Sequence, residues 1–141
     1  MTAGFIGTGN MGLPLASLIL DQEKNMSVFD INPEATKTLA DKQARIAKSP
    51  AEVASQADVV FACMPSVASF EAVAGGEDGV IHGREIKTFV NLGTMGTEAV
   101  GEVEQRLAEK GIEMLDCPIT GGTQRAWAKE IAAIASGPKA V

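Results

Sequence analysis

Residues that bind metals or form disulfides are scarce in this chain. Its 141 residues include two cysteines, Cys63 and Cys117, and a single histidine, His82. Two cysteines are too few for a disulfide framework, and their spacing matches no metal-site pattern. We therefore expect no metal site and interpret both cysteines as small buried hydrophobic residues in a reducing compartment, which favours the cytoplasm. His82 falls in a turn-like stretch and is interpreted as a surface residue.

Long apolar runs and an excess of basic residues are also absent. No run of about 18 apolar residues occurs, and no positively charged segment precedes an apolar one at the start, so the sequence predicts neither a membrane span nor a signal peptide. The formal net charge of −6 argues against nucleic acid as the main partner, because a phosphate backbone needs a basic surface. With 45% hydrophobic and 21% charged residues, the composition is that of an ordinary globular domain.

Short apolar runs alternate with amphipathic helical patterns along the chain. The strand-like runs are residues 3–7, 27–29, 44–47, 58–64, 87–92, 112–116 and 130–136. This alternation predicts parallel strands joined by right-handed crossover helices. The predicted fold class is therefore α/β, a doubly wound and mostly parallel sheet.

Several helix boundaries are indicated by local signals. Asn32, followed by proline, is typical of a helix start. Residues 49–52, Ser-Pro-Ala-Glu, have the pattern of a capping box. A further helix is predicted over residues 97–110, with Glu102 and Arg106 paired one turn apart.

The glycines after the first strand have the spacing of a dinucleotide-binding turn. Gly7, Gly9 and Gly12 follow a buried-strand pattern and precede an amphipathic helix. In such a turn the first glycine permits the tight bend, the second lets the backbone approach the pyrophosphate, and the third lets helix and strand pack closely. The alternative is a plain glycine-rich turn. The elements on both sides of it favour the dinucleotide.

An acidic residue supports the same interpretation. Asp30 ends the second strand pattern, about 20 residues after the glycines, where a carboxylate can accept hydrogen bonds from the adenine ribose hydroxyls. It favours NAD(H) over NADP(H), because its charge would repel a 2′-phosphate and the next residue, Ile31, offers no guanidinium. Lys37 is the nearest cation in the sequence and keeps NADP(H) open as the less favoured cofactor.

A second polar segment, DCPITGGTQRAW, occupies residues 116–127 after the sixth strand pattern. Ligands gather at the carboxyl ends of parallel strands, so we expect this segment near the nicotinamide end of the same crevice. The Thr120 hydroxyl can bond a substrate oxygen, and the N–H groups of Gly121 and Gly122 can bind a carboxylate. In the alternative interpretation the segment is a plain loop in which Thr120 caps a helix.

Together these stretches resemble a known family. The motifs that carry the resemblance are GFIGTGNMGLPLA, VFDINPEA, ADVVFACMPS, GEDGVIHG and DCPITGG. They look like the β-hydroxyacid dehydrogenases, the group around 3-hydroxyisobutyrate dehydrogenase and tartronate semialdehyde reductase, with 6-phosphogluconate dehydrogenase as a more distant relative. The resemblance covers nearly the whole chain. It implies that residues 1–141 are the NAD-binding domain of an oxidoreductase that transfers a hydride between NAD(H) and a small 3-hydroxy acid or semialdehyde.

The resemblance also implies the residues that bind the cofactor and the substrate. The pyrophosphate would contact Gly7, Gly9, Asn10, Met11 and Gly12, and the ribose would contact Asp30. Met64 and Pro65 match a hydrophobic-proline pair that lines the cofactor cleft, and Thr94 matches a threonine near the nicotinamide half. The substrate carboxylate would be held by Thr120, Gly121 and Gly122, where the family usually has Ser-Gly-Gly.

Two departures from the family pattern affect what the chain is expected to do. Lys129 and Glu130 stand where the family usually has Gly-Thr. The family's catalytic lysine belongs to a helical domain that this sequence lacks, and neither Lys129 nor Lys139 matches its position. The resemblance therefore implies a chain cut before its catalytic lysine, inactive alone, and part of a homo-oligomer when full length.

Two other functions stay open from the sequence. One is an imine reductase-like enzyme of the same superfamily, which would not need the carboxylate grip of residues 120–122. The other is a stand-alone nucleotide-binding module without catalytic activity.

Overall fold

Six strands pair in one parallel sheet in the computed structural model, which describes residues 1–138. They are β1 (Ala3–Ile6), β2 (Met26–Phe29), β3 (Arg45–Ile46), β4 (Val59–Ala62), β5 (Thr88–Asn91) and β6 (Glu113–Asp116). Their order across the sheet is β3-β2-β1-β4-β5-β6, and every pairing is parallel. The predicted α/β class with a doubly wound sheet is confirmed.

Helices cover both faces of this sheet. They are α1 (Gly12–Gln22), α2 (Lys37–Asp41), α3 (Pro50–Ala54), α4 (Val67–Gly75), α5 (Thr97–Ala108) and α6 (Gly122–Trp127), with short 3-10 helices at Pro33–Thr36 and Val80–His82. Leu15 of α1 and Ala126 of α6 are buried in the apolar cluster of one face, whereas Phe70 of α4 and Val103 of α5 are buried in that of the other. Because both faces are covered, the inner strands are buried and mostly apolar. No helix in residues 1–138 is long and apolar enough to cross a bilayer.

The strand register aligns the carboxyl ends of the strands along one edge. Ile6 is level with Phe29 on one side and with Ala62 on the other. Asn91 is level with Ala62 and with Asp116. The direction of chain progression across the sheet reverses between β1 and β4, and a ligand crevice opens at such a point.

The last predicted strand, residues 130–136, does not join the parallel sheet. Only Ala132–Ala133 forms a strand, β8, and it pairs antiparallel with a second short strand, β7 (Ile119–Thr120). Ser136 makes an isolated antiparallel bridge to Asp116. The chain folds back on itself through α6 (Gly122–Trp127), so this segment pairs antiparallel with the residues that follow β6 and does not extend the parallel sheet.

Two predicted side-chain interactions are replaced by others. Ser49 accepts the N–H of Glu52 at 3.1 Å as expected, but the Glu52 carboxylate accepts the N–H of Lys48 at 2.7 Å instead of completing a capping box. Arg106 does not pair with Glu102, because its Nη2 donates to the Gly75 carbonyl oxygen at 2.7 Å, at the end of α4. Helix α5 is thereby tied to α4.

Candidate dinucleotide-binding site

The turn between β1 and α1 leaves no room for side chains at two of its three glycines. Gly7 has a φ of +87°, and a Cβ there would overlap the Met64 Cε and the Cys63 carbonyl oxygen. A Cβ on Gly12 would overlap the Gly7 carbonyl oxygen and lie 3.3 Å from the Phe5 ring. These glycines serve the fold itself, one through a left-handed bend and one through close packing of helix against strand.

Gly9 has a different environment. No atom lies within 4 Å of the position that its Cβ would take, and its φ is outside the left-handed region. Nothing inside the described protein therefore requires glycine there. The open space is what a group that approaches the backbone from outside would need.

The same turn has unused hydrogen-bond donors. Among residues 1–138, no carbonyl or side-chain oxygen accepts from the N–H groups of Gly9, Asn10 or Met11. Helix α1 has no side-chain cap at its start and no acidic residue in its first turn. Free N–H groups at the positive end of a helix favour an anion, so these residues fit a pyrophosphate.

Asp30 lies at the end of β2 and is bonded to the glycine turn. The Thr8 N–H donates to its Oδ2 at 2.7 Å, and the Asn32 N–H donates to its Oδ1 at 2.8 Å. The Thr8 hydroxyl also donates to Oδ2, at 3.4 Å. A carboxylate offers about four lone-pair positions, so Oδ1 can still accept from a ribose hydroxyl. Thr8 was not predicted as a site residue, because its burial and its bond to Asp30 follow from the alignment of the strand ends and leave no signal in the sequence.

The ends of β4 and β5 lie next to the glycine turn. Met64 is partly buried against Gly7, and Pro65 is exposed just before α4. Thr94 is exposed in the turn that follows β5. The neighbouring Gly93 has the Met64 carbonyl oxygen 3.2 Å from where its Cβ would be. Gly7, Met64 and Gly93 are therefore consecutive neighbours along this edge.

A reciprocal capping box, which the sequence analysis did not find, begins α4 at this edge. The Ser69 N–H donates to the Ser66 Oγ, and the Ser66 N–H donates to the Ser69 Oγ, both at 3.2 Å. Serine stands at the position where the recognisable pattern has Glu or Gln, so the signal was not visible.

A buried polar residue that was not predicted from the sequence ends β5. Asn91 is 0% exposed. Its Nδ2 donates to the Gly93 carbonyl oxygen at 2.8 Å and to the Asp116 Oδ1 at 2.7 Å, and the Gly93 N–H donates to its Oδ1 at 3.1 Å. The available signal was an asparagine at the end of a buried apolar run, two residues before a glycine.

The segment after β6 continues beside the end of β5. The Cys117 N–H donates to the Asn91 carbonyl oxygen at 2.8 Å, and the Ile119 N–H donates to that of Leu92 at 3.3 Å. These bonds carry the chain past the sheet edge to Thr120. The predicted substrate-binding segment, residues 120–122, thus comes directly after backbone that is hydrogen-bonded to the end of β5.

Thr120 is exposed and does not cap α6. Its hydroxyl lies 3.5 Å from the Ala132 carbonyl oxygen, and the N-cap residue of α6 is Gly121, without a side-chain bond. Gly121 and Gly122 have φ values of +117° and +71°, both left-handed, which only glycine adopts without strain. The alternative in which Thr120 is a helix cap is therefore wrong.

Two thiols flank this edge and stay protonated. Burial raises the pKa of the Cys63 thiol, which follows β4. Burial and the charge of Asp116 raise the pKa of the Cys117 thiol, which follows β6. The thiolate is the reactive form, so neither thiol is an activated nucleophile.

The remaining candidate residues lie apart from the turn or outside the described residues. Lys129 follows α6 with an exposed side chain and a φ of +63°. Lys139 lies outside the described residues. His82 is exposed in a 3-10 helix, and its Nε2 is 3.1 Å from the Gly76 carbonyl oxygen.

A groove of about 520 Å³ between the starts of α4 and α5 is a separate feature. Its lining includes Val67 and Met95, and the carboxylates of Glu71, Glu98 and Glu102. Three negative side chains would repel a pyrophosphate. The glycine turn, with its free N–H groups, therefore fits a pyrophosphate better than this groove does.

The strand order, the open glycine turn and the carboxylate bonded to it define a dinucleotide-binding domain. Residues 2–141 match the family model described as the NAD binding domain of 6-phosphogluconate dehydrogenase. The chain belongs to this family, and it is an NAD-binding domain. This confirms the predicted cofactor and the resemblance to the hydroxyacid dehydrogenases.

Similar proteins include enzymes that are longer than this chain. The chain is 37% identical over 123 residues to the "Probable 3-hydroxyisobutyrate dehydrogenase, mitochondrial" of Dictyostelium discoideum, covering 86% of this chain and 38% of that protein. It is 34% identical over 136 residues to the L-threonate dehydrogenase of Cupriavidus necator, covering 96% of this chain and 46% of that protein. A solved 3-hydroxyisobutyrate dehydrogenase of Mycobacterium tuberculosis with L-serine has a TM-score of 0.86 at 26% identity, covering 99% of this chain and 47% of that one. The chain thus spans less than half the length of these relatives.

Proposed function

We propose that this domain binds NAD(H) in preference to NADP(H) and serves an oxidoreductase that transfers a hydride between NAD(H) and a small 3-hydroxy acid or semialdehyde. The observation that carries the proposal is the glycine turn, which is open at Gly9, has free N–H groups at Asn10 and Met11, and is bonded through Thr8 to Asp30. The nicotinamide, when bound, accepts or donates the hydride. The residues of this chain bind the cofactor and orient it.

The preference for NAD(H) rests on the charges around Asp30. Its carboxylate would repel a 2′-phosphate on the ribose that it binds. The adjacent Ile31 is 92% exposed and apolar, so it cannot compensate that charge. Lys37, the cation that could favour NADP(H), has its Nζ 2.5 Å from the Glu34 Oε2. Neither Ile31 nor Lys37 therefore offers a free positive charge to a 2′-phosphate on that ribose.

The substrate class rests on the segment from Thr120 to Gly122. Its exposed hydroxyl and its two left-handed glycines leave polar groups accessible beyond the sheet edge. Such a segment can bind a carboxylate through backbone N–H groups and a hydroxyl. The names of two relatives, 3-hydroxyisobutyrate dehydrogenase and L-threonate dehydrogenase, both specify hydroxy acids.

Self-association and location are part of the same proposal. Trp127 is 50% exposed and Ile134 is 67% exposed, and large exposed apolar side chains favour a homo-oligomer. Sedimentation at increasing concentration tests this, and a monomer at all concentrations would contradict it. The cytoplasm stays our proposed compartment, because Cys63 and Cys117 are free.

The substrate part of the proposal is tested by binding to the NAD⁺ complex. We expect 3-hydroxy acids to bind this complex, and Thr120→Val to weaken that binding about tenfold, because it removes a hydrogen bond to a charged group while keeping the shape. Thr120→Ser is the matched control and keeps the hydroxyl. Equal binding by wild type and Thr120→Val would contradict the role of Thr120, and no binding of any 3-hydroxy acid would contradict the substrate class.

A further inference from the structure

The orientation of the Asn91 amide is fixed by its three hydrogen bonds. The Gly93 carbonyl and the Asp116 carboxylate can only accept, so both must face the Nδ2 group, and the Gly93 N–H can only donate, so it must face Oδ1. Because Asn91 is 0% exposed, water cannot replace these partners without rearrangement. The side chain therefore holds two separate segments in one arrangement.

The two segments that Asn91 joins both belong to the predicted site. Gly93 precedes Thr94 and lies against the carbonyl oxygen of Met64, at the end of β4. Asp116 ends β6 and leads into the backbone that reaches Thr120. No other contact described for these two turns joins them through a single buried side chain.

Which half of the cofactor lies near the Asn91 bonds to Gly93 and Asp116 depends on the direction in which the cofactor crosses the sheet. Asp30 at the end of β2 would hold the adenosine half, and the glycine turn at the end of β1 would hold the pyrophosphate. The nicotinamide half must then lie on the other side of β1, above the ends of β4 and β5, because the crevice crosses the sheet there. Asn91 lies beneath that half and away from Asp30.

We infer that Asn91 is a positioning residue for the nicotinamide half of the cofactor, which it supports through the Gly93–Thr94 turn and the segment that leads to Thr120. This inference rests on the proposed function. Asn91 itself is buried and touches neither cofactor nor substrate. Its loss should weaken binding of the nicotinamide half and leave binding of the adenosine half unchanged.

The test compares the affinities for NADH and for ADP-ribose, which lacks the nicotinamide, by calorimetry on this chain. Asn91→Asp loses the Nδ2 group and both bonds that it donates, so a carboxylate oxygen faces the Asp116 carboxylate and the Gly93 carbonyl oxygen. We expect the ratio of the two affinities to fall about tenfold while ADP-ribose binds as before. In the double variant Asn91→Asp with Asp116→Asn, an amide again donates to a carboxylate between positions 91 and 116, whereas the bond to the Gly93 carbonyl stays lost. We expect this variant to recover at least half of the decrease in the ratio of NADH to ADP-ribose affinity, on a logarithmic scale.

A matched control separates positioning from general loss of stability. Ser27→Ala removes another buried side-chain bond, from the Ser27 Oγ to the Gln56 Oε1 at 2.7 Å, in β2. It should lower Tm without changing the ratio. A lowered Tm in Asn91→Asp with an unchanged ratio would overturn the inference, as would a wild type that binds NADH and ADP-ribose equally. If the folded wild type binds neither, the proposed function itself is wrong and the inference is wrong with it.

Discussion

Two single variants, Gly9→Ala and Gly12→Ala, should distinguish a glycine required for cofactor binding from a glycine required for stability of the fold. The two glycines lie three residues apart in one turn, and the same methyl group is added in both variants. At Gly12 the new Cβ would overlap the Gly7 carbonyl oxygen, whereas at Gly9 it would meet no atom within 4 Å. We therefore expect opposite outcomes in stability and in binding.

The magnitudes follow from these environments. Forcing a methyl into a packed backbone contact costs about 1–3 kcal/mol, so Gly12→Ala should lower the free energy of unfolding by about 2 kcal/mol and Tm by roughly 6–8 °C. Gly9→Ala should change it by less than about 0.5 kcal/mol, since nothing is displaced. Its methyl would occupy the space through which a pyrophosphate reaches the N–H groups, and loss of one such charged bond weakens NADH binding about 10- to 100-fold.

The assays are a thermal melt and an NADH titration on both variants. Wild-type NADH affinity in Gly9→Ala would refute the assignment of the open space to the pyrophosphate. A large loss of stability in Gly9→Ala would refute the statement that nothing in the protein needs glycine there. An unchanged Tm in Gly12→Ala would refute the packing argument for the third glycine.

Three further predictions concern charge, backbone strain and pH. Asp30→Asn should narrow the gap between NADH and NADPH affinities, because it removes the charge that repels a 2′-phosphate, and titrations that show an unchanged gap would contradict this. Lys129→Gly should raise the free energy of unfolding by about 0.5 kcal/mol, since relief of the left-handed backbone exceeds the added freedom of the unfolded chain, and a decrease in urea melts would count against it. Hydrogen bonds from Thr2 hold the pKa of Asp58 below its usual value, so its stabilisation is complete above about pH 4 and is lost as the pH falls through the lowered pKa. Asp58→Asn should therefore lose less stability than wild type between pH 5 and about pH 3, and parallel losses in urea melts would disagree.

The sequence predicted the sheet well because parallel strands buried on both faces are short, mostly apolar runs. The six runs from residue 3 to residue 116 each overlap an observed strand. The prediction that residues 130–136 join the parallel sheet was wrong, because a composition rich in alanine and isoleucine does not determine which strand a segment pairs with. That partner is set by where the chain folds back through α6, which brings the segment against Ile119–Thr120.

The candidate site could be predicted only in part, for a similar reason. The roles of Gly7 and Gly12 follow from spacing, because left-handed turns and close packing leave a direct mark on residue type. The bonds of Asn91 and Thr8 join residues distant in the chain, and only the alignment of strand ends brings them together. The bond of Arg106 to the Gly75 carbonyl, in place of the predicted pair with Glu102, was also not predictable from local sequence, because it depends on how α4 packs against α5.

The most direct test of the central claim is a calorimetric titration of this chain with NADH and, separately, with NADPH. We predict saturable binding of NADH and binding of NADPH at least about tenfold weaker, the difference that one repelling charge near the ribose produces. The same sample should melt cooperatively by circular dichroism. A chain that melts cooperatively and binds no NADH would contradict the assignment of the glycine turn, and tighter binding of NADPH would contradict the role of Asp30.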